Sequence, residues 1–167
     1  CIMQVDYALI LSAGLGTRMG EIGKKTPKVL WPVFAKTLLE LQIAYCKDLG
    51  IQKIYINTHF LHNELEHFLR EKNLLGEVKL LHEEPLLDSG GAIHNLAQQK
   101  DVQYSGNLLL INGDQFLFFD QEYWDKALSK ITNCRAVLFG ISVDKEAAYN
   151  ETILDIAVGV ISPMTCV

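Results

Sequence analysis

Ala8-Leu9-Ile10-Leu11 runs directly into Ser12-Ala13-Gly14-Leu15-Gly16-Thr17-Arg18-Met19-Gly20, and this junction decides the fold. Apolar residues in an unbroken run, rather than in alternation, describe a strand buried on both faces. Such a strand belongs to a parallel sheet with helices on either side. The glycines that follow mark where the chain leaves the sheet.

The rest of the chain repeats the pattern. Residues 37–49 carry Leu38, Leu41, Ala44, Tyr45 and Leu49 at helical spacing, and Gly50 stops the helix. Residues 53–57 read as a strand, 61–72 as a helix, 78–81 as a strand and 92–99 as a helix. A nearly all-apolar strand follows over 107–112, then a helix over 122–131 and a strand over 136–143. Short apolar strands alternating with amphipathic helices predict an α/β fold, mostly parallel, with helices on both faces of the sheet. No internal repeat, low-complexity tract or linker rich in Pro, Gly and Ser interrupts it.

Composition narrows the function classes. The 167 residues are 49 % hydrophobic and 21 % charged, which is ordinary globular usage. Fifteen Lys plus Arg against twenty Asp plus Glu give a net charge of −5, and only three arginines are present. That balance argues against a nucleic-acid binder, which needs a dense basic surface. No apolar run reaches the roughly eighteen residues a membrane helix requires. Cys1–Tyr7 lacks a basic-then-apolar leader, so a cytoplasmic protein is expected. Cys1, Cys46, Cys134 and Cys166 have no metal-ligand or redox spacing and read as idle thiols. The sequence does not fix the oligomeric state.

In a parallel sheet the ligand lies beyond the carboxyl ends of the strands. The loop after the first strand therefore carries most of the information. Its glycines let backbone N–H groups approach an anion, and Arg18 offers a planar fork for phosphate oxygens. Lys28, held by Pro27, adds a compact charge. The dinucleotide fingerprint fails, because Gly14, Gly16 and Gly20 place the last glycine one residue late. The P-loop fails too, since no Gly-Lys-Ser/Thr is present.

The full string, Gly14-Leu15-Gly16-Thr17-Arg18 followed by Pro27-Lys28-Val29-Leu30-Trp31-Pro32-Val33, resembles the signature of the sugar-phosphate nucleotidyltransferases. These enzymes make a nucleotide-sugar and pyrophosphate from a nucleoside triphosphate and a sugar 1-phosphate. Three further segments match in the family's order: Ile56-Asn57-Thr58-His59, Glu84-Pro85-Leu86-Leu87-Asp88-Ser89-Gly90-Gly91-Ala92-Ile93 and Leu110-Ile111-Asn112-Gly113-Asp114. The similarity spans about Tyr7 to Val143. It is strongest to short bacterial N-acetylmuramate 1-phosphate uridylyltransferases and mannose-1-phosphate guanylyltransferase-like proteins. Asp88-Ser89 stands where Glu-Thr is usual, Trp31 is bulkier than its counterpart, and Thr37 replaces a common proline.

The resemblance implies a Rossmann-like three-layer sandwich of the nucleotidyltransferase A type and Mg²⁺ as cofactor. It implies that Arg18, Lys28 and Asp114 are catalytic. Lys28 would lie on the α-phosphate or the incoming phosphate, and Asp114 would hold the metal. Ser12, Ala13, Gly14, Gly16, Thr17 and Arg18 would bind the nucleotide. So would Glu84, Ser89, Gly90 and Gly91, with Glu84 accepting from the base imide. Asn57 and Asn112 would meet sugar hydroxyls. UTP with an amino-sugar or muramic-type phosphate is the expected pair, which suggests cell-wall nucleotide-sugar synthesis.

Alternatives stand beside several of these. Asn112-Gly113-Asp114 is also turn chemistry. His59, His62 and His67 do not share a helix face, so zinc is not expected. Leu117-Phe118-Phe119 and Trp124 read as core rather than as a stacking platform. The family carries a second metal-binding aspartate that nothing here matches, and Asp155 lies in a stretch like the strand before it. A single catalytic domain over 1–167 is therefore expected, with residues missing near Asn150 and after Val167. The rival readings are a catalytically degenerate nucleotide or sugar-phosphate sensor and a dinucleotide-binding oxidoreductase.

Overall fold

A computed structural model describes residues 5–14, 26–102, 106–115, 118–131, 136–139 and 164–166. The chain divides into two compact units, one over Gln4–Leu117 and one that includes Phe118–Val167.

The larger unit is built on four strands, β1 (Tyr7–Leu11), β4 (Lys53–Thr58), β5 (Val78–His82) and β6 (Leu108–Asn112). They pair in the order β5-β4-β1-β6, and every ladder is parallel. β1 is the keystone: Leu11 sits in register with Asn57 on one side and Asn112 on the other. Ala8, Leu9 and Ile10 are fully buried, as an unbroken apolar run requires of a strand covered on both faces.

The helices follow from this order. Stepping from β1 to β4 to β5 moves one way across the sheet, and right-handed crossovers put α1 (Leu38–Asp48) and α2 (His62–Glu71) on one face. The return from β5 to β6 puts α3 (Ser89–Ala97) on the other. Its Ala92 and Leu96 pack into a cluster with Tyr7, Leu9, Tyr55 and Leu81. The fold is thus Rossmann-like, and the strand order reverses between β1 and β6.

Element ends show where local chemistry decides. Thr37 caps α1: its hydroxyl accepts from Glu40 N–H at 3.2 Å, and the Glu40 carboxylate accepts from Thr37 N–H at 2.8 Å. Gly50 follows that helix at φ 80°, as expected of its stop. α3 begins three residues before the expected Ala92. Asp88 accepts from Gly91 N–H at 2.9 Å, which draws Ser89, Gly90 and Gly91 into the first turn despite the poor helix propensity of glycine. A hairpin of β2 (Pro32–Val33) and β3 (Lys36–Thr37), not anticipated from the sequence, turns at Phe34, which is 99 % exposed.

In the smaller unit α4 (Gln121–Ile131) accompanies β7 (Val137–Phe139), which pairs antiparallel with β8 (Met164–Cys166). Trp124 is buried, with its ring 4.8 Å from that of Phe139. It packs as core, whereas Phe119 is half-buried, with its ring 4.7 Å from the same Phe139 ring. The expected strand over 136–143 is described only for Val137–Phe139, and the stretch around Asp155 lies outside the described residues.

Candidate active site

The reversal point between β1 and β6 is where a doubly wound sheet receives its ligand. A cavity of about 350 Å³ opens there. Ser12, Ala13 and Gly14 line it from the loop after β1. Lys28 and Val29 come from the following 3₁₀ turn, Asn57 from β4, Leu86–Ser89 from the approach to α3, and Asn112 and Asp114 from the end of β6. Ser12, Ala13, Gly14, Lys28, Asn57, Ser89, Asn112 and Asp114, all predicted site residues, thus share one cavity.

Lys28 and Asp114 are placed by their neighbours. Pro27 starts the 3₁₀ turn Lys28–Leu30, and Val29 in its middle is buried. At the end of β6, Gly113 N–H donates to Leu11 O at 2.9 Å. A Cβ on Gly113 would run into that carbonyl and into Val29 Cγ1, so only glycine permits this approach. Val29 and Gly113 therefore touch, and the residues flanking them meet: Lys28 Nζ lies 3.3 Å from Asp114 Oδ2. Gln42, buried on α1, donates from Nε2 to Asn112 O and Gln115 O, both at 3.2 Å, and so brackets the turn that presents Asp114.

The opposite wall is a chain of hydrogen bonds. Ser12 N–H donates to Asn57 Oδ1 at 2.7 Å, and Ser12 Oγ donates to Asn57 O at 2.6 Å. Asn57 Nδ2 donates to Glu83 Oε1 at 2.9 Å, and Leu87 N–H donates to Glu83 Oε2 at 3.1 Å. Asn57 is 3 % exposed and Glu83 only 1 %. The amide of Asn57, expected on a sugar hydroxyl, is thus occupied at both ends by the protein itself.

Other predicted residues lie elsewhere. The Glu84 side chain is 85 % exposed with His82 Nε2 3.9 Å away, and neither Glu84, Gly90 nor Gly91 lines the cavity. Gly91 is tight for an internal reason, since a Cβ would come within 2.9 Å of Leu87 Cβ. Gly16, Thr17 and Arg18 lie outside the described residues. His59 Nδ1 donates to Glu83 O at 2.7 Å, and His62 Nδ1 pairs with Thr58 Oγ1 at 2.7 Å. Among the described residues no three His, Cys, Asp or Glu side chains converge on a metal position. Asp114 would instead be a single hard-oxygen anchor, which suits Mg²⁺ shared with substrate phosphates.

Sequence reasoning missed Glu83 and Gln42. Each carried a signal. Gln42 interrupts the apolar face made by Leu38, Leu39, Ile43 and Cys46, and Glu83 lies two residues beyond buried Leu81, on the same parity. Burial also pushes the Cys46 thiol up to about 12, consistent with an inert core cysteine.

The site sits on a fold of known kind. The chain matches the Nucleotidyl transferase family over residues 7–150 and belongs to it. The D-glycero-alpha-D-manno-heptose 1-phosphate guanylyltransferase of Campylobacter jejuni subsp. jejuni is 32 % identical over 114 residues, 68 % of this chain and 49 % of that protein. The N-acetylmuramate alpha-1-phosphate uridylyltransferase of Neisseria meningitidis serogroup B is 32 % identical over 109 residues, 64 % of this chain and 46 % of that protein. The solved structure of the CTP:phosphocholine cytidylyltransferase of Streptococcus pneumoniae superposes with a TM-score of 0.56 at 31 % identity, covering 71 % of this chain and 49 % of that one. The chain thus spans about half the length of these relatives. Among the described residues no helix is long and apolar enough to cross a membrane.

Proposed function

We propose that the protein transfers a nucleoside monophosphate from a nucleoside triphosphate to a sugar 1-phosphate, releasing pyrophosphate. The observation that carries this reading is the meeting of Lys28 and Asp114 at one cavity mouth, on a chain of this family. Attack of one phosphate on another brings two anions together and leaves charge on the departing pyrophosphate. The protein's task is alignment and charge compensation.

The parts divide as follows. The backbone of Ala13 and Gly14, continued by Gly16, Thr17 and Arg18, cradles the triphosphate. Lys28 leaves Asp114 for the α-phosphate or the incoming phosphate, where its charge counts most in the transition state. Asp114 is then free to hold Mg²⁺, which when bound neutralises charge on the transferring phosphoryl group. Ser89 at the start of α3 and Asn112 at the end of β6 face the same cavity and are offered to nucleotide and sugar respectively. Asn57 shapes the wall rather than meeting the sugar. Glu84, exposed and outside the cavity lining, is not assigned a base contact in this reading.

UTP with an amino-sugar or muramic-type phosphate remains the proposed pair, in the cytoplasm and on a route to cell-wall precursors. The relatives divide among guanylyl, uridylyl and cytidylyl transfer, so the base is the point to test. The test supplies UTP, GTP, CTP, dTTP and ATP with a panel of sugar 1-phosphates and Mg²⁺ to the complete gene product and follows pyrophosphate. One pair should dominate. Nucleotide binding without pyrophosphate release from any pair would favour the sensor reading.

A further inference from the structure

Resting on this nucleotide-binding reading, we propose that Glu83 is a positioning residue, acting through Asn57 and Leu87 N–H to set the two sides of the nucleotide cleft against each other. Ser12 belongs to the loop after β1, and Leu87 to the segment leading into α3. These are separate stretches of chain, and both line the cavity. Glu83 lines none of it and is 1 % exposed, yet its two carboxylate oxygens join them.

The hydrogen-bond chain is directional. Ser12 N–H can only donate, so Asn57 must present Oδ1 to it and Nδ2 to Glu83. Leu87 N–H can only donate as well. Position 83 must therefore accept at both of its terminal atoms, Oε1 from Asn57 and Oε2 from Leu87, which a carboxylate does and an amide cannot. Further contacts hold Glu83 at this junction: its N–H donates to Thr58 O at 2.7 Å, and its carbonyl accepts from His59.

This polarity makes a sharp test. Glu83→Gln sets an amide donor against Asn57 Nδ2 or against Leu87 N–H. Rotating the Asn57 amide only moves the mismatch to Ser12. Asn57→Asp sets two carboxylates face to face. The double variant Asn57→Asp/Glu83→Gln repairs both faults. The new carboxylate accepts from Ser12 and from the new amide, whose oxygen accepts from Leu87. Net charge is unchanged.

The experiment measures binding of UTP, GTP and CTP with Mg²⁺ by calorimetry, with melting temperature and steady-state kinetics, for the wild type, both single variants and the double variant. Each single variant should weaken the preferred triphosphate by about tenfold or more, while the double variant returns to within about threefold of wild type. The loss should fall on KM for the triphosphate, with kcat within about threefold, because Glu83 touches no reacting atom. A double variant that folds but binds no better than the worse single variant overturns the inference. It would mean that the carboxylate is needed at 83 itself. Single variants that bind like wild type, or a double variant that does not fold, overturn it equally. A wild-type protein that binds no triphosphate fails differently, and counts against the proposed function.

Discussion

Lys28 Nζ and Asp114 Oδ2 lie 3.3 Å apart although 86 positions separate them in the chain. Their side chains are 33 % and 53 % exposed, so the pair adds little to stability. What holds them together is underneath: buried Val29 against Gly113, at the point where β1 and β6 end side by side. A contact of little energetic value at the mouth of a cavity is readily exchanged for ligands. Phosphate can take the lysine and a cation the aspartate.

Gly113→Ala tests that foundation. The added methyl meets Leu11 O and Val29 Cγ1, and neither the backbone carbonyl nor the core side chain can yield cheaply. Overpacking of this kind costs about 1–3 kcal/mol. Thermal unfolding should show a clear drop in melting temperature. Gly14→Ala, where nothing lies within 4 Å, should be far milder for the described fold.

Gln42 supports the same turn from α1. Gln42→Met keeps length and apolar volume but leaves Gln115 O without the Gln42 donor and Asn112 O with only the Gln115 N–H. A loss of about 1 kcal/mol is expected, because the substitution removes two bonds from Nε2 but also the buried, unpartnered Gln42 Oε1. Turnover should fall as well, with a higher Mg²⁺ requirement, because the turn carries Asp114. Gln42→Glu should be worse on both counts, since a buried carboxylate would face two carbonyls.

The cap of α1 predicts a response to acid. Burial acts to raise the Glu40 carboxyl, but the hydrogen bonds from Thr37 and the nearby Lys72 ammonium outweigh it and hold the group below its ordinary value of 4.5. The stabilisation is therefore complete above the unfolded value and is lost as pH falls through the depressed folded value. Thr37→Ala should cost about 1 kcal/mol at neutral pH. The gap to wild type should narrow in acid, and unfolding curves at several pH values would show it.

The fold was legible because β1 is apolar without interruption and buried from Ala8 to Ile10, as in a strand covered on both faces; β6 carries a similar apolar run, although Leu108 and Leu110 are exposed. Lys28, Asp114, Ser12 and Asn112 were legible as well, because their motifs end strands and strand ends converge. Three features were not. The start of α3 depends on one Asp88 side chain overriding two glycines. Asn57 has the look of a ligand-binding amide until its neighbours are known. Glu83 and Gln42 are polar residues committed to the interior, and a sequence shows their type but not that their partners come from distant segments. Gly16, Thr17 and Arg18, read from the loop motif, lie outside the described residues.

The most direct measurement is Mg²⁺-dependent pyrophosphate release by wild type, Lys28→Ala, Asp114→Asn and the exposed control Lys36→Ala, alongside their melting temperatures. If the cavity mouth performs nucleotidyl transfer, Lys28→Ala and Asp114→Asn each lower kcat/KM by roughly 10²-fold or more. Melting temperatures should barely move, because the exposed ion pair contributes little. Asp114→Asn should also shift the Mg²⁺ curve to higher concentration, and Lys36→Ala should behave as wild type. Near-normal turnover in both site variants, with an unshifted Mg²⁺ curve, would contradict the account.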